Sequence, residues 1–388
     1  MTDTVRWGIL GTGRIAGLFA EALRLAAGAR LEAVASRRPE AARAFAAAHG
    51  VPRAHLGWEE LARDPAVDVV YLATPASLHR AHALALLDAG KPVVVEKPFA
   101  TSAAEGREVV ERARARGLFC MEAMWMRFTP AAREVERLVR GGAIGEVRFL
   151  EASLGFPHAP GPGERVFDAE RGGGALLDLG VYAVSLAHWL LGSPAGVVAS
   201  ATRAGGVDEQ MGAVLTFPGG AQAVLSASLR GLLANEACVT GAAGRLRIWE
   251  PFLRPERLTV TRAAPARAGP ERGRLSSLAR HPLFRPLGAL RARLGRREFH
   301  RPVLGAGYAH EALEAMRALC AGEKESPVLP LEETLRVLET LDAVRAAFEG
   351  SGGHPGGSSC ASPSSAPASS PISTSPPSGT TPSSNSSE

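Results

Sequence analysis

Lysine is scarce in this chain of 388 residues: there are three, at positions 91, 97 and 324, beside 41 arginines. Tyrosine is as rare, with three, and aromatic residues make up only 5%. Against that background a Lys stands where Arg would not serve, because a guanidinium with a pKa above about 12 cannot relay a proton. The four cysteines, Cys120, Cys238, Cys320 and Cys360, lie far apart. That excludes the close pairs of structural zinc and redox motifs, and no metal site is expected. The start carries Asp3 and runs straight into a strand-like segment, without the basic and apolar stretches of an export signal. A cytoplasmic protein with reduced thiols is expected. An uncharged, largely apolar run, 179–202, is broken by Gly192-Ser193-Pro194 and reads as buried core rather than a membrane span. A formal charge of +5 is too modest to indicate nucleic acid, and 46% hydrophobic residues exclude a wholly disordered chain.

Over residues 1–125, short β-branched runs alternate with Ala/Leu/Arg segments of helical period. Strands are expected at Val5–Leu10, Leu31–Ser36, Val67–Ala73, Pro92–Glu96 and Leu118–Glu122, with helices between them. This is the α/β pattern of a doubly wound, Rossmann-type parallel sheet, whose ligands collect at the carboxyl ends of the strands. From 126 to 350 the pattern changes to consecutive strands between Glu146 and Glu250, one strong helix at Ala175–Leu191 and two closing helices. A C-terminal α+β domain with a mostly antiparallel open sheet is therefore expected. Residues 351–388 hold 15 Ser, seven Pro and five Gly and read as a disordered tail.

Gly11-Thr12-Gly13-Arg14-Ile15-Ala16 gives G-x-G-x-x-A where the first strand meets the first helix. Gly11 suits the tight turn, Gly13 lets backbone approach a pyrophosphate, and the helix start offers unpaired N–H groups to the phosphates. At the end of the second strand, Ser36-Arg37-Arg38 stands where an NAD site usually places Asp or Glu. A hydroxyl and guanidinium groups can bind a 2′-phosphate by charge-assisted hydrogen bonds, so NADP is favoured, with NAD as the other choice. Thr74-Pro75 with His79, and Glu96-Lys97-Pro98, follow later strands on the same edge. The helix Ala175–Leu191 follows Gly172-Gly173-Gly174 and carries Asp178 and Tyr182 one turn apart. Lys97 beside Tyr182 is an acid/base pair suited to a hydroxyl losing a hydride, with the phenolate favoured by the ammonium.

Taken jointly and in this order, the glycine turn, Thr74-Pro75 with Leu78-His79, Gly90-Lys91-Pro92 running to Glu96-Lys97-Pro98, and the triple glycine with Asp178-x-Gly180 resemble the Gfo/Idh/MocA oxidoreductase family. The match runs from residue 5 to about 350. The resemblance implies a Rossmann domain, a second domain whose open sheet often mediates dimerisation, and NAD(P)-linked chemistry on a sugar, polyol or related alcohol. Many members carry His where this chain has Tyr182. That difference, with Glu122 to Phe128, is similar to the sugar and dihydrodiol dehydrogenase branch, which prefers NADP and adds a cyclic trans-diol to the substrate classes. Carried over, Lys97 and Tyr182 would be catalytic, Asp178 would orient substrate or lysine, and Trp125, Arg127 and Phe156 would line the substrate pocket. Two other outcomes stay open at this level: redox-assisted glycoside hydrolysis with a tightly held NAD, and a dinucleotide-binding regulatory protein without catalysis.

Residues 254–301 carry 13 Arg and three Glu, a net +10, so the rest of the chain is mildly acidic at −5. Within this basic insertion Leu283, Leu287, Leu290 and Leu294 fall at helical spacing. A helix capping the sheet or forming a dimer surface is expected there, with contact of 267–297 to anionic lipid or an acidic partner as the alternative.

Overall fold

The computed structural model describes residues 4–159, 161, 163–263 and 295–350. The tail reading over 351–388, and the amphipathic helix read across 283–294 within the proposed 267–297 contact, fall outside the described residues.

The first sheet has six parallel strands in the order β3-β2-β1-β4-β5-β6. They are β1 (Val5–Leu10), β2 (Ala29–Ser36), β3 (Arg53–Leu56), β4 (Val69–Leu72), β5 (Val93–Glu96) and β6 (Cys120–Ala123). Strands β4, β5 and β6 are buried along their whole length, as a sheet covered on both faces requires. The crossovers are α1 (Arg14–Leu25), α2 (Pro39–His49), α3 (Gly57–Arg63), α4 (His79–Asp88) and α5 (Ala103–Arg116). Strand order reverses beside β1, between β2 and β4, and this reversal opens a crevice at the carboxyl ends. Two elements escape the sequence reading, β3 and α3. β3 is an edge strand whose residues alternate between half-buried and exposed, and it carries Arg53 and His55 where a β-branched run would be the signal.

After a short 3-10 turn, Trp125–Phe128, and α6 (Pro130–Arg140), the second sheet has eight strands in the order β14-β13-β12-β11-β7-β10-β9-β8. These are β7 (Val147–Gly155), β8 (Gly196–Ala204), β9 (Val207–Thr216), β10 (Gln222–Ser228), β11 (Ala237–Gly241), β12 (Gly244–Ile248), β13 (Arg257–Arg262) and β14 (Arg296–His300). Only β7 and β10 pair in parallel. Strand β9 alternates buried and outward residues along its length, so one face is packed and the other is open. The packed face is covered by α7 (Val181–Leu191) and α9 (Leu331–Gly350), and α8 (Ala309–Cys320) packs on α1.

Val181 to Trp189 are all buried, so the apolar stretch read as core is a core helix. It is entered through a π-helical turn, Leu176–Gly180, rather than as one continuous α-helix. The ends of the basic insertion, β13 and β14, are paired strands at the sheet edge, which the sequence reading missed. Their arginines mask the apolar residues that carry the strand, Leu258 and Val260, both buried.

Candidate active site

The sheet edges meet at a cleft of about 1240 Å³. At one end β1 runs into the glycine turn. Gly11 has φ +122°, and a Cβ there would stand 2.5 Å from the Ala73 carbonyl oxygen, so β1 and β4 can come together only around a glycine. Gly13 caps α1, a Cβ on it would meet no atom within 4 Å, and α1 begins without a side-chain cap or an acidic residue in its first turn. The backbone N–H groups there face open space, ready for an anion. Ser36, Arg37 and Arg38 line the same cleft at the exit of β2, and Thr12, Arg14 and Ile15 complete its wall at the glycine turn. These residues fit a dinucleotide: a glycine cradle for a pyrophosphate, and basic side chains at the ribose end.

Farther along the edge, Thr74 and Pro75 follow β4, and Glu96 and Lys97 close β5. His79 joins the two turns. Its ring is buried with its nitrogens 2.9 and 2.8 Å from the carbonyl oxygens of Pro98 and Thr74, and burial lowers its pKa to about 4 against the pull of those two carbonyls. It lines the cleft, but its contacts make it a brace for the turns that carry Lys97. Glu96 accepts from the Tyr71 hydroxyl and, at 3.0 Å, from the Lys97 backbone N–H. Burial nevertheless pushes its carboxyl up.

Lys97 Nζ donates to the main-chain oxygen of Asp178 at 2.7 Å, lies 3.6 Å from Asp178 Oδ1, and sits 4.8 Å from the centre of the Tyr182 ring. Asp178 also takes Arg165 Nη2 at 2.5 Å. Although burial opposes its ionisation, Lys97 and Arg165 together hold its carboxyl down to about 2. The Tyr182 hydroxyl accepts from the Trp125 indole N–H at 3.0 Å. Trp125 in turn stacks on Tyr308, with ring centres 4.8 Å apart, and Phe156 closes the wall.

One expectation requires correction. Arg127 does not line the cleft. Its side chain is 1% exposed, bonded to Glu333 at 2.6 Å and to the Val328 carbonyl at 3.1 Å, and it lies over the Trp189 ring. With three residues per 3-10 turn, residues two apart diverge by about a third of a circle. Trp125 and Arg127 thus serve different surroundings, and Arg127 ties the turn to the start of α9. Lys97 holds its ammonium over the Tyr182 ring face, while burial pushes the phenol well above its ordinary value and the Trp125 N–H opposes that shift. In this arrangement Tyr182 is a protonated phenol.

The cleft also contains Arg165, His158, Tyr308, Trp58 and Arg254, which sequence reasoning did not select. Tyr308 had a signal, being one of three tyrosines in the chain. Arg165 had none, since it is one of 41 arginines in a segment that reads as a connection. Among the described residues no group of three or more His, Cys, Asp or Glu is placed to hold a metal.

A six-stranded doubly wound sheet with a glycine cradle, joined to a lysine and a tyrosine that line the same cleft beside a second sheet, defines a Rossmann-type nicotinamide oxidoreductase. The chain belongs to the Gfo/Idh/MocA oxidoreductase family. Residues 5–124 match the model for the oxidoreductase family's NAD-binding Rossmann fold, and residues 132–247 match the family's C-terminal domain. It is similar to trans-1,2-dihydrobenzene-1,2-diol dehydrogenase from Bos taurus, 35% identical over 351 residues, covering 89% of this chain and 97% of that one. The Homo sapiens enzyme of the same name is 33% identical over 351 residues, with the same coverage. Among solved structures, a 3-ketoreductase from Actinomadura kijaniata in complex with NADP and TDP-benzene is 28% identical with a TM-score of 0.73, covering 89% of this chain and 98% of that one. An aldose-aldose oxidoreductase from Caulobacter crescentus shares the fold at 24% identity and a TM-score of 0.74, covering 90% and 98%. The chain is a dehydrogenase acting on CH–OH groups.

Proposed function

We propose that this protein is an NADP-linked oxidoreductase that interconverts a hydroxyl and a carbonyl on a sugar, polyol or cyclic trans-diol. The observation that carries the reading is the placement of Lys97 and Tyr182 at one end of a cleft whose other end holds Ser36, Arg37 and Arg38. The names of the dihydrodiol dehydrogenases, and the NADP bound by the similar ketoreductase, support it.

The glycine turn and the start of α1 would hold the pyrophosphate, and Ser36 with Arg37 and Arg38 the 2′-phosphate. When bound, the nicotinamide supplies the site that accepts or gives the hydride. Tyr182 does the proton work. In the reducing direction its phenol gives a proton to the substrate oxygen that gains negative charge, and in the oxidising direction its phenolate takes the proton from the substrate hydroxyl. Lys97 places a positive charge beside that oxygen, where charge develops in the transition state. Trp125 and Phe156 form the apolar walls that exclude water and orient the carbon skeleton.

A dimer through the second sheet belongs to the same proposal. Val198, Val214 and Val224 pair across β8, β9 and β10 on the open face and are 73%, 37% and 39% exposed, an apolar row suited to a second copy. A cytoplasmic setting is also proposed, in keeping with free thiols at Cys120, Cys238 and Cys320.

The test is absorbance at the reduced-nicotinamide band with NADP and with NAD, against D-xylose, D-glucose and a cyclic trans-diol. Turnover of at least one of them, faster with NADP, is expected. Substrate loss without net cofactor reduction, or no reaction across a broad panel of alcohols and carbonyls, would overturn the reading.

A further inference from the structure

Lys97 and Arg165 compete for one oxygen. Arg165 Nη2 lies 2.5 Å from Asp178 Oδ1, while Lys97 Nζ stands 3.6 Å from the same atom and bonds instead to the main-chain oxygen of Asp178 at 2.7 Å. Arg165 opens a short 3-10 turn, Arg165–Phe167, in the connection from β7 to α7. The triple glycine fixes that turn. A Cβ at Gly173 would fall 2.6, 2.7 and 2.8 Å from the carbonyl oxygens of Val166, Arg165 and Asp168, so the Arg165 turn can pack against the chain entering Asp178 only where residue 173 has no side chain. Gly174 N–H and Gly173 N–H close it by donating to Val166 and Asp168, both at 2.9 Å.

We propose that Arg165 is a positioning residue for the Lys97–Tyr182 pair: by occupying Asp178 Oδ1 it prevents that carboxylate from closing on Lys97, and so leaves the ammonium facing the reacting oxygen. The inference rests on the oxidoreductase reading above. A carboxylate oxygen meets a guanidinium fork in a fixed geometry, whereas an ammonium can turn to the carbonyl beside it, so the division of partners follows from the two side chains. With Arg165 removed, Asp178 loses its short contact and Lys97 is the cation within reach. The other groups facing this cluster are accounted for. Glu96 is bonded to Tyr71 and to the Lys97 backbone, and His79 braces Pro98 and Thr74. His158 Nδ1 lies 2.8 Å from the Phe156 carbonyl, Tyr308 stacks on Trp125, and Tyr182 accepts from the indole.

The scarcity of lysine makes a direct test possible. Cyanate modifies the unprotonated amine, whose fraction falls as an ion pair tightens, and the products at Lys97 and at exposed Lys324 can be compared by peptide mass in one sample. In Arg165→Gln the rate at Lys97 relative to Lys324 should fall by about three- to tenfold, as closure of the ion pair demands. The NADP-linked oxidation rate at fixed pH should fall by a similar factor, with NADP binding and thermal midpoint little changed. Arg165→Lys should restore most of both, and in an Asp178→Asn background Arg165→Gln should have no further effect on labelling. Unchanged Lys97 labelling in Arg165→Gln would overturn the inference, as would a change confined to substrate KM or a loss of folding that Arg165→Lys does not repair. If the unaltered protein proved to have no NADP-linked turnover, the functional reading would fail while the labelling ratio still decided the role of Arg165.

Discussion

Replacing Trp125 with Phe isolates the one hydrogen bond that the Tyr182 hydroxyl accepts from the wall of the cleft. The indole N–H stands 3.0 Å from that oxygen, and the ring stacks on Tyr308, a contact that a phenyl group largely keeps. A donor to a charged oxygen contributes about 1.5–3 kcal/mol and to a neutral one about 0.5–1.5, so its loss penalises the phenolate over the phenol by about 1 kcal/mol. Burial keeps Tyr182 protonated across the working pH range, so oxidation depends on the small phenolate fraction. That fraction, and with it the oxidation rate at each pH below the titration, should fall about fivefold. Reduction starts from the phenol and should change far less. The assay is kcat for both directions between pH 6 and 9 with NADP and NADPH. Equal losses in the two directions would mean that Trp125 acts only as a wall, and no loss in either would refute the hydrogen-bond argument.

Arg37→Glu should raise the KM for NADP by about ten- to a hundredfold through lost charge-assisted bonds and added repulsion, leaving NAD little affected; an unchanged NADP/NAD ratio would show the arginine to be a surface charge. Glu311 is fully buried on α8, and neither carboxylate oxygen has a partner among the described residues. Burial and the facing Glu96 charge raise its pKa, so the folded state holds this proton more tightly than the unfolded chain, and stability falls as pH rises above the ordinary carboxyl range. Glu311→Gln should therefore raise the thermal midpoint more at pH 8 than at pH 4.5, whereas a pH-independent difference would contradict the linkage. Val214→Asp, in the exposed row of the second sheet, should convert a dimer to a monomer in light scattering without loss of fold, and a chain that is monomeric before the change would remove the dimer from the account.

The parallel sheet was legible because its strands are buried on both faces and so appear as continuous apolar runs, as Val93-Val94-Val95 do. β3, β13 and β14 were not, since edge strands keep polar residues outward and the arginines of this chain blur the alternation. Gly11 was legible because backbone geometry leaves no other residue there, and Gly13 because of its spacing from it at the start of a helix. Lys97 and Tyr182 owed their visibility to scarcity. Arg165 and Arg127 show the limit: one braces the site and the other the core, and nothing local distinguishes them from the 39 other arginines. Their roles follow from partners far along the chain, Asp178 and Glu333, which a linear reading does not bring together.

The central claim, that Tyr182 does the proton work of an NADP-linked hydride transfer beside the positive charge of Lys97, is tested most directly by Tyr182→Phe and Lys97→Met. Each should be measured for turnover by nicotinamide absorbance and for NADPH affinity by fluorescence in the same preparation. Both should lose turnover by about a hundredfold or more while binding NADPH within a few-fold of the unaltered protein. Near-normal turnover in either would contradict the account.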